Sequence, residues 1–331
     1  MNIKGFVLLM NILILSAGTR CQLINYFKDR NNGFDKVVAT DSSIYAPAVY
    51  MADNHYIVPR MHDTNYLPML INICKKEEIN VILPLQEDEI ELISQNKAIF
   101  ENLNILVAIS DIETLKICRD KYLLYKTLLS KGISCVETYD YNSETDIIKD
   151  MTLPIIAKDR FGAGSVGMLK IDSWPLLAEF AKCSQKELVV QPYLEVKEYG
   201  VDAYVDFISG EIIAIFVKEK IRMRAGETEK SKSIKDQELF KLVEDVIKEF
   251  DFRGPIDIDV FKYNGVYNVL EINPRFGGGY PHAYECGVNF IKFIAENAKG
   301  RQNKPVIGEY EGNTVLLKYT DAMLKNEKDM F

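Results

Sequence analysis

Residues 254–275, GPIDIDVFKYNGVYNVLEINPR, place Asp257, Asp259, Glu271, Asn273 and Arg275 on two alternating apolar runs that flank Asn264-Gly265. Acid, amide and guanidinium at one strand end, followed by Pro274 and the glycines 277–279, suit cation-assisted chemistry on an anionic substrate. A two-residue type I′ turn at Asn264-Gly265 is the obvious closure. It puts Asp259 on a face with Leu270, and Glu271 beside Ile258 on the other. A three-residue loop, Tyr263-Asn264-Gly265, with Gly265 in the left-handed position of a bulge, changes the parity. Asp257, Asp259, Glu271 and Asn273 then share one face, and Ile258, Val260, Leu270 and Ile272 the other. The three-residue loop is the expectation. Like charges facing each other destabilise a sheet, and a hard divalent cation relieves them. Oxygen-only donors suit Mg²⁺, which keeps waters and takes further ligands from phosphates.

A second constellation lies at 162–167, GAGSVG, which matches GxGxxG. The dinucleotide fingerprint needs a helix at its third glycine, whereas here MLKI continues as a strand. The stretch IIAKDRFGAGSVGMLKI therefore reads as a hairpin with a glycine tip. Its backbone N–H groups can lie over phosphates, with the Lys158 ammonium beside them. No GxxxxGK[ST] occurs, which excludes the P-loop class. The first turn, SAGTRC (16–21), lacks GxGxxG, so Asp41, which ends the second apolar run, is a doubtful ribose ligand.

The elements that must position these residues follow from periodicity. Four apolar runs, 12–18, 37–41, 79–85 and 104–110, alternate with polar helical stretches, the pattern of a parallel sheet with helices on its faces. A charged helix at 112–133 stops at Gly132. Strands at 154–159 and 167–171, a helix near 174–184, strands at 187–194 and 199–207 and a helix at 236–250 lead to the opening hairpin. In the basic segment 217–233, Lys218, Lys220, Arg222 and Arg224 alternate strictly. The two lysines read equally as charge protecting an edge strand or as functional cations. Arg222 and Arg224 read as functional, because guanidinium forks hold carboxylate or phosphate bidentately. Residues 226–233, GETEKSKS, read as a mobile loop that closes over substrate. His282 follows the glycines and reads as structural or as a substrate contact; His55 and His62 have no partner pattern.

The 331 residues, 47% of them hydrophobic, allow two or three closely packed subdomains. A net charge of −8 supplies no basic footprint, which argues against nucleic acid as a partner. Cysteines 21, 74, 118, 135, 183 and 286 form no CxxC pair, which fits free thiols in a reducing compartment and a cytoplasmic location. Lys4 and the apolar run after it resemble a short signal peptide. Residues 12–18 are read instead as a buried strand, with Met10 a candidate start. No run reaches the ~18 apolar residues of a membrane span.

Lys121, Lys158, the glycine hairpin, QPYL (191–194), Asp259 and LEINPR (270–275) stand in the order of the ATP-grasp superfamily, which the chain resembles from Met10 onward. IRMRAGE (221–227) and EINPRFGGG (271–279) look most like stand-alone relatives of the carbamoyl-phosphate synthase large subunit. The resemblance implies an α/β ATP-grasp fold. Its parts would be an N-terminal Rossmann-like pre-ATP-grasp domain (1–111), a lid subdomain with its linking helix (112–190) and a C-terminal α+β domain carrying the metal and substrate site (191–331). It implies ATP between lid and C-terminal domain, with Lys121 and Lys158 on the phosphates. Gly162, Gly164, Ser165 and Gly167 fall in the lid loop, Gln191, Pro192, Tyr193 and Leu194 along the adenine, and Glu198 at the ribose. Asp259, Glu271 and Asn273 match ligands of Mg²⁺, with Mn²⁺ as a substitute. Arg275 matches an arginine beside the transferred phosphate or acyl group, and Arg222 and Arg224 join it as catalytic candidates. Gln191 stands where a glutamate is common, and Asp257 has no assigned role.

The implied activity is an ATP-dependent carboxylate–amine or carboxylate–thiol ligase that forms an acyl phosphate and releases ADP and phosphate. The alternatives are a bicarbonate-using enzyme like carbamoyl-phosphate synthase and a nucleotide-binding regulator without turnover. The expected partners are a small carboxylate and an amine, with no nucleic acid and no membrane, and the expected assembly is a homodimer.

Overall fold

The computed structural model describes residues 10–330 apart from Ala163, Ser165 and Ala225. Ser165, expected in the phosphate-covering loop, and the apolar run before Met10 therefore lie outside the described residues. The four apolar runs form parallel strands β1 (Met10–Leu15), β2 (Phe34–Asp41), β4 (Val81–Pro84) and β5 (Leu106–Val107). A short edge strand, β3 (Asn54–Ile57), completes the order β3-β2-β1-β4-β5. Successive β1 side chains point to opposite faces. Ile12 and Ile14 pack with Leu23, Ile24 and Phe27 of α1 (Cys21–Lys28). Leu13 and Leu15 pack with α2 (Tyr66–Lys76) and α3 (Glu87–Gln95), and the short α4 (Lys97–Glu101) follows. Asp41 accepts the backbone N–H of Gly18 and of Ser43, each at 2.9 Å, so both its oxygens serve the turn.

The helix expected at 112–133 is two helices, α5 (Ile112–Arg119) and α6 (Lys121–Ser130). Asp120 between them is extended, and its carboxylate accepts the N–H groups of Tyr122 and Leu123 at 3.1 Å. An aspartate that caps a new helix satisfies N–H groups orphaned at its start, and here that competes successfully with continuing the old one. Gly132 takes φ +69° just past α6, the left-handed stop that glycine tolerates.

A four-stranded sheet comes next: β6 (Tyr139–Asp140), β7 (Ile155–Asp159), β8 (Met168–Ile171) and β9 (Leu188–Pro192), in the order β6-β9-β7-β8, with α7 (Thr145–Lys149) and α8 (Trp174–Cys183) in its connections. β7 and β8 pair antiparallel with Lys158 opposite Met168, so the glycine sequence joins a hairpin and not a strand to a helix. The largest sheet has six strands: β10 (Lys197–Val205), β11 (Ile212–Arg224), β12 (Glu227–Ile234), β13 (Gly254–Tyr263), β14 (Val266–Asn273) and β15 (Val315–Leu317). Their order is β14-β13-β10-β11-β12-β15. The segment expected as a mobile loop at 226–233 is largely β12, paired with β11 on one side and β15 on the other. Three helices, α9 (Gln237–Lys248), α10 (Tyr280–Glu285) and α11 (Phe290–Ala298), complete the fold. Among the described residues no helix is long and apolar enough to cross a membrane.

The opening hairpin corrects one expectation and keeps its consequence. Tyr263 faces Val266, so the loop is the two-residue Asn264-Gly265, with φ of 51° and 80° as a type I′ turn requires. The three-residue loop does not form. The register instead slips between Asp259 and Val260: Val260 faces Val269, whereas Asp259 faces Glu271. Leu270 is the extra residue of a bulge, and the bulge reverses the side-chain parity that the turn alone would set. Asp257, Asp259, Glu271 and Asn273 therefore share a face, while Ile258, Val260 and Ile272 are buried on the other.

Glu89 in α3 is a buried carboxylate away from this hairpin. One of its oxygens accepts the Ser16 hydroxyl at 2.9 Å and the Tyr66 hydroxyl, and the other has no partner. Burial pushes its pKa from 4.5 to about 7, against the pull of those two hydroxyls and with a further push from Asp41. The folded protein thus holds a proton that the unfolded chain releases, and stability from this group is lost as pH rises from about 4.5 through about 7. The loss is at most about 3 kcal/mol. Glu89→Gln is expected to remove that fall: its stability relative to the parent should improve between pH 5 and pH 8, read from urea midpoints at both values. An unchanged difference would show that Glu89 titrates normally.

Candidate active site

The acidic face of β13 and β14 is offset by ammonium groups from elements distant in sequence. Lys220 of β11 lies across β10, and its Nζ is 2.5 Å from Asp259 Oδ1 and 2.7 Å from Glu198 Oε1. Burial alone would lower the pKa of Lys220, but Asp259, Glu198 and Asp257 outweigh it and hold the group charged. Burial raises the Asp259 carboxyl above its usual range in spite of Lys220, and the nearby Asp257 and Glu271 add to the rise. Glu271 is buried as well, yet the Lys158 and Lys121 ammoniums and the Asn273 amide overcome that and hold it below the usual range. The Asn273 amide nitrogen lies 3.4 Å from Glu271 and 3.5 Å from Asp257.

Lys158 and Lys121 come from the lid side. Lys158, on β7, is buried and pushed down to about 8 by desolvation, with Lys121 adding to the fall and Glu271 opposing it. Lys121, the first residue of α6, donates to the Gly162 carbonyl, and burial lowers its pKa too. Two residues that the sequence reading missed fix this region. Arg160 clamps Asp120 through two bonds of 2.7 and 2.6 Å and reaches Asp140 and Glu187 at 3.1 Å each, which ties the lid hairpin to the start of α6. Asp159 receives Lys186 at 2.7 Å, and the glycine loop wraps its carboxylate: a Cβ on Gly167 would sit 2.4 Å from Asp159 Oδ2.

Past β14 the three glycines each make room for a charged side chain from another strand. A Cβ on Gly277 would meet Asp257 of β13 at 2.4 Å, one on Gly278 the Glu227 carboxyl of β12 at 2.8 Å, and one on Gly279 the Lys218 side chain of β11 at 2.6 Å. Arg275 bonds Glu87 of α3 at 2.9 Å, lies 3.7 Å from Asp257 and donates to the Phe276 carbonyl at 3.2 Å. It thereby links the parallel-sheet unit to the acidic face. Lys121, Gly162, Gly164, Glu271, Asn273 and Arg275 line one common cleft against α3 and α5.

The other expected residues fall as follows. Gln191 is buried on β9 and donates its amide to the Thr138 hydroxyl at 2.7 Å, with Pro192, Tyr193 and Leu194 leading out of that strand. Tyr193 lies under the Lys170 ammonium, 4.0 Å from ring centre to nitrogen. Glu198 is engaged by Lys220 and joins the acidic face. Arg222 and Arg224 are exposed near the tip of the β11–β12 hairpin, paired with Glu229 at 3.0 and 3.6 Å, and do not meet the acids. The buried cations of that run are Lys218 and Lys220 and not the arginines expected to function, because β11 leaves the core after Lys220 and its register shifts there. Lys218 bonds Asp202 in the interior. His282 is buried, bonded to the Ser231 hydroxyl at 2.7 Å, and pushed down to about 4 by burial and by Lys218, so it is neutral and part of the floor.

Among the described residues no three His, Cys, Asp or Glu side chains form a metal cage. Asp259, Glu271 and Asn273 supply oxygens on one face with excess negative charge, a partial shell that fits a small divalent cation completing its coordination on phosphates and water.

Residues 12–108 match the family described as PylC-like, N-terminal domain, and residues 184–317 the family described as ATP-grasp in the biosynthetic pathway with Ter operon. Over 213 residues the chain is 24% identical to the carbamoyl phosphate synthase large chain of Thermoanaerobacter sp., an overlap of 58% of this chain and 19% of that one. The chain spans less than half the length of the curated relatives it matches. Among solved structures, N5-carboxyaminoimidazole synthetase from Staphylococcus aureus complexed with ADP superposes with a TM-score of 0.72 at 20% identity, covering 93% of this chain and 80% of that one. The biotin carboxylase domain of Hydrogenobacter thermophilus 2-oxoglutarate carboxylase superposes with a TM-score of 0.74 at 17% identity, covering 93% and 73%. Both share this fold.

Removing one partner of a buried ion pair leaves an uncompensated charge. Lys220→Met is expected to destabilise the protein by about 3 kcal/mol. Adding Asp259→Asn should recover most of that loss, as measured by urea denaturation of the two single variants and the double variant. Simple additivity would show that the pair is not coupled.

Proposed function

We propose, from the match of residues 184–317 to an ATP-grasp family and from the shared fold, that the chain is an ADP-forming ligase that joins a small carboxylic acid to an amine or thiol. The observation that carries the reading is the convergence of Lys121 and Lys158 from the lid side on Glu271, directly opposite Asp259, with Arg275 at the same strand end. This is a site built for a charged group in transfer. In the proposal, Lys158 and Lys121 hold the ATP phosphates under the loop of Gly162, Gly164 and Gly167. Gln191, Pro192, Tyr193 and Leu194 border the adenine, and Glu198 the ribose. Asp259, Glu271 and Asn273 would hold Mg²⁺, which neutralises phosphate charge when bound.

The substrate carboxylate oxygen attacks the γ-phosphorus. A carboxyl O–P bond forms, the bridge to the β-phosphate breaks, and ADP leaves. The amine then attacks the acyl carbon, phosphate departs, and the amine proton goes to solvent. Arg275 lies where it can hold the incoming carboxylate or the phosphate, and its pairing with Glu87 and Asp257 fixes the guanidinium in advance. Closure of the glycine loop would exclude water, which hydrolyses acyl phosphates. The acid and amine are the expected partners, a homodimer is the expected assembly, and the six unbridged cysteines support a cytoplasmic setting.

With Mg-ATP, a panel of amino acids and other small carboxylates including bicarbonate, and hydroxylamine as trap, ADP release with hydroxamate is expected for one acid. Glu271→Gln should lower that turnover at least about 100-fold and leave ADP affinity within about tenfold. Full turnover in this variant would remove Glu271 from the centre, and nucleotide binding without acid-stimulated ADP release would favour a regulator.

A further inference from the structure

A cavity of about 640 Å³ borders Gly277 and Gly278, between the start of α1 and the segment after β15. Its charged lining is Arg20, Glu227, Lys318 and Asp321. Arg20 comes from SAGTRC, the turn that lacked a nucleotide fingerprint. Its guanidinium donates one bond, to the Phe276 carbonyl at 3.3 Å, and among the described residues no carboxylate lies within ion-pair distance. Burial lowers its pKa and Arg275 lowers it further, while Glu227, Asp257 and Glu87, none of them within ion-pair distance, offset that only in part. Lys318 donates to the Gly278 carbonyl at 2.5 Å and lies 3.6 Å from Glu227. Its backbone is pinned to Glu229 of β12 at 3.0 Å. Asp321 accepts the backbone N–H of Ala322.

Arg275 donates to the same Phe276 carbonyl oxygen as Arg20. The two guanidiniums therefore flank one atom. Arg275 faces the acidic centre with its charge balanced by Glu87 and Asp257; Arg20 faces the cavity with no such partner. A half-buried guanidinium with most of its donors unused is matched by a planar anion that takes two N–H bonds at once.

We propose that this cavity binds the acid substrate, and that Arg20, assisted by Lys318, holds a carboxylate of it beside Arg275. The inference rests on the ligase reading and deepens it: the acid is a small organic carboxylate of amino-acid to short dicarboxylate size, and Arg20 determines specificity for it.

The test separates the pocket from the chemistry. Thermal shifts of the full chain loaded with Mg-ADP are titrated with glutamate, succinate and inorganic phosphate. Saturable stabilisation by glutamate or succinate is expected, weakened about 10- to 100-fold in Arg20→Met, weakened less in Arg20→Lys, and weakened also in Lys318→Met. All three variants should keep the parent's stabilisation by Mg-ADP, which certifies their fold. Equal carboxylate binding in Arg20→Met, indifference of the parent to both carboxylates, or a response to phosphate alone would each overturn the proposal. Carboxylate binding through Arg20 with no hydroxamate from any acid would overturn the ligase reading and leave the pocket standing.

Discussion

Carboxylates crowded on a half-buried sheet face cannot stay ionised unless cations reach them, and that constraint organises the molecule around Glu198, Asp257, Asp259 and Glu271. Each cation comes from a different part of the chain: Lys220 from β11, Lys158 from the lid hairpin, Lys121 from the first turn of α6, and Arg275 from the end of β14 with Glu87 of α3 behind it. The four-stranded sheet, α6 and the parallel-sheet unit thus share one electrostatic centre. Lys121 and Lys158 act on Glu271 through their charge without forming an ion pair with it.

The acidic face was legible because side-chain parity is a strong constraint. Apolar and charged residues had to separate, and only an odd residue somewhere in the hairpin could separate them. Sequence did not say where that residue sat. A loop residue and a strand bulge give the same parity, and the Asn-Gly pair is satisfied by its own tight turn, so the irregularity moved to Leu270, near the charged end of the strand. The parallel sheet, the glycine hairpin and the Gly132 stop were equally readable, since each depends on local periodicity or on glycine in a position that local geometry demands.

What was hidden depends on contacts distant in sequence. Lys218, Lys220, Arg222 and Arg224 are identical in pattern, and chemical type favoured the arginines for function while leaving the lysines open between an edge and the site. Burial decides for the lysines, because the strand runs from the core to an exposed tip, and no property of the segment itself marks where it leaves the core. The break at Asp120 was hidden for a related reason. An aspartate in a helical run is unremarkable until Arg160, forty residues on, fixes both its oxygens. Arg20 carried no signal at all, since its meaning lies in Phe276, more than two hundred residues away.

The triple glycine draws these contacts together. With any side chain at 277, 278 or 279 the backbone would have to move off Asp257, Glu227 or Lys218. Those residues come from β13, β12 and β11, so the segment is a bare backbone floor on which three strands deliver charge. Phe276 immediately before it turns its ring into the core, against Phe27 and Tyr280, and leaves its carbonyl to Arg20 and Arg275. A buried aromatic anchor is stiff, and that stiffness passes to the carbonyl beside it. The spacing between the two arginines is then set by core packing, which is the pre-organisation that the proposed presentation of a carboxylate to a phosphorus atom would need.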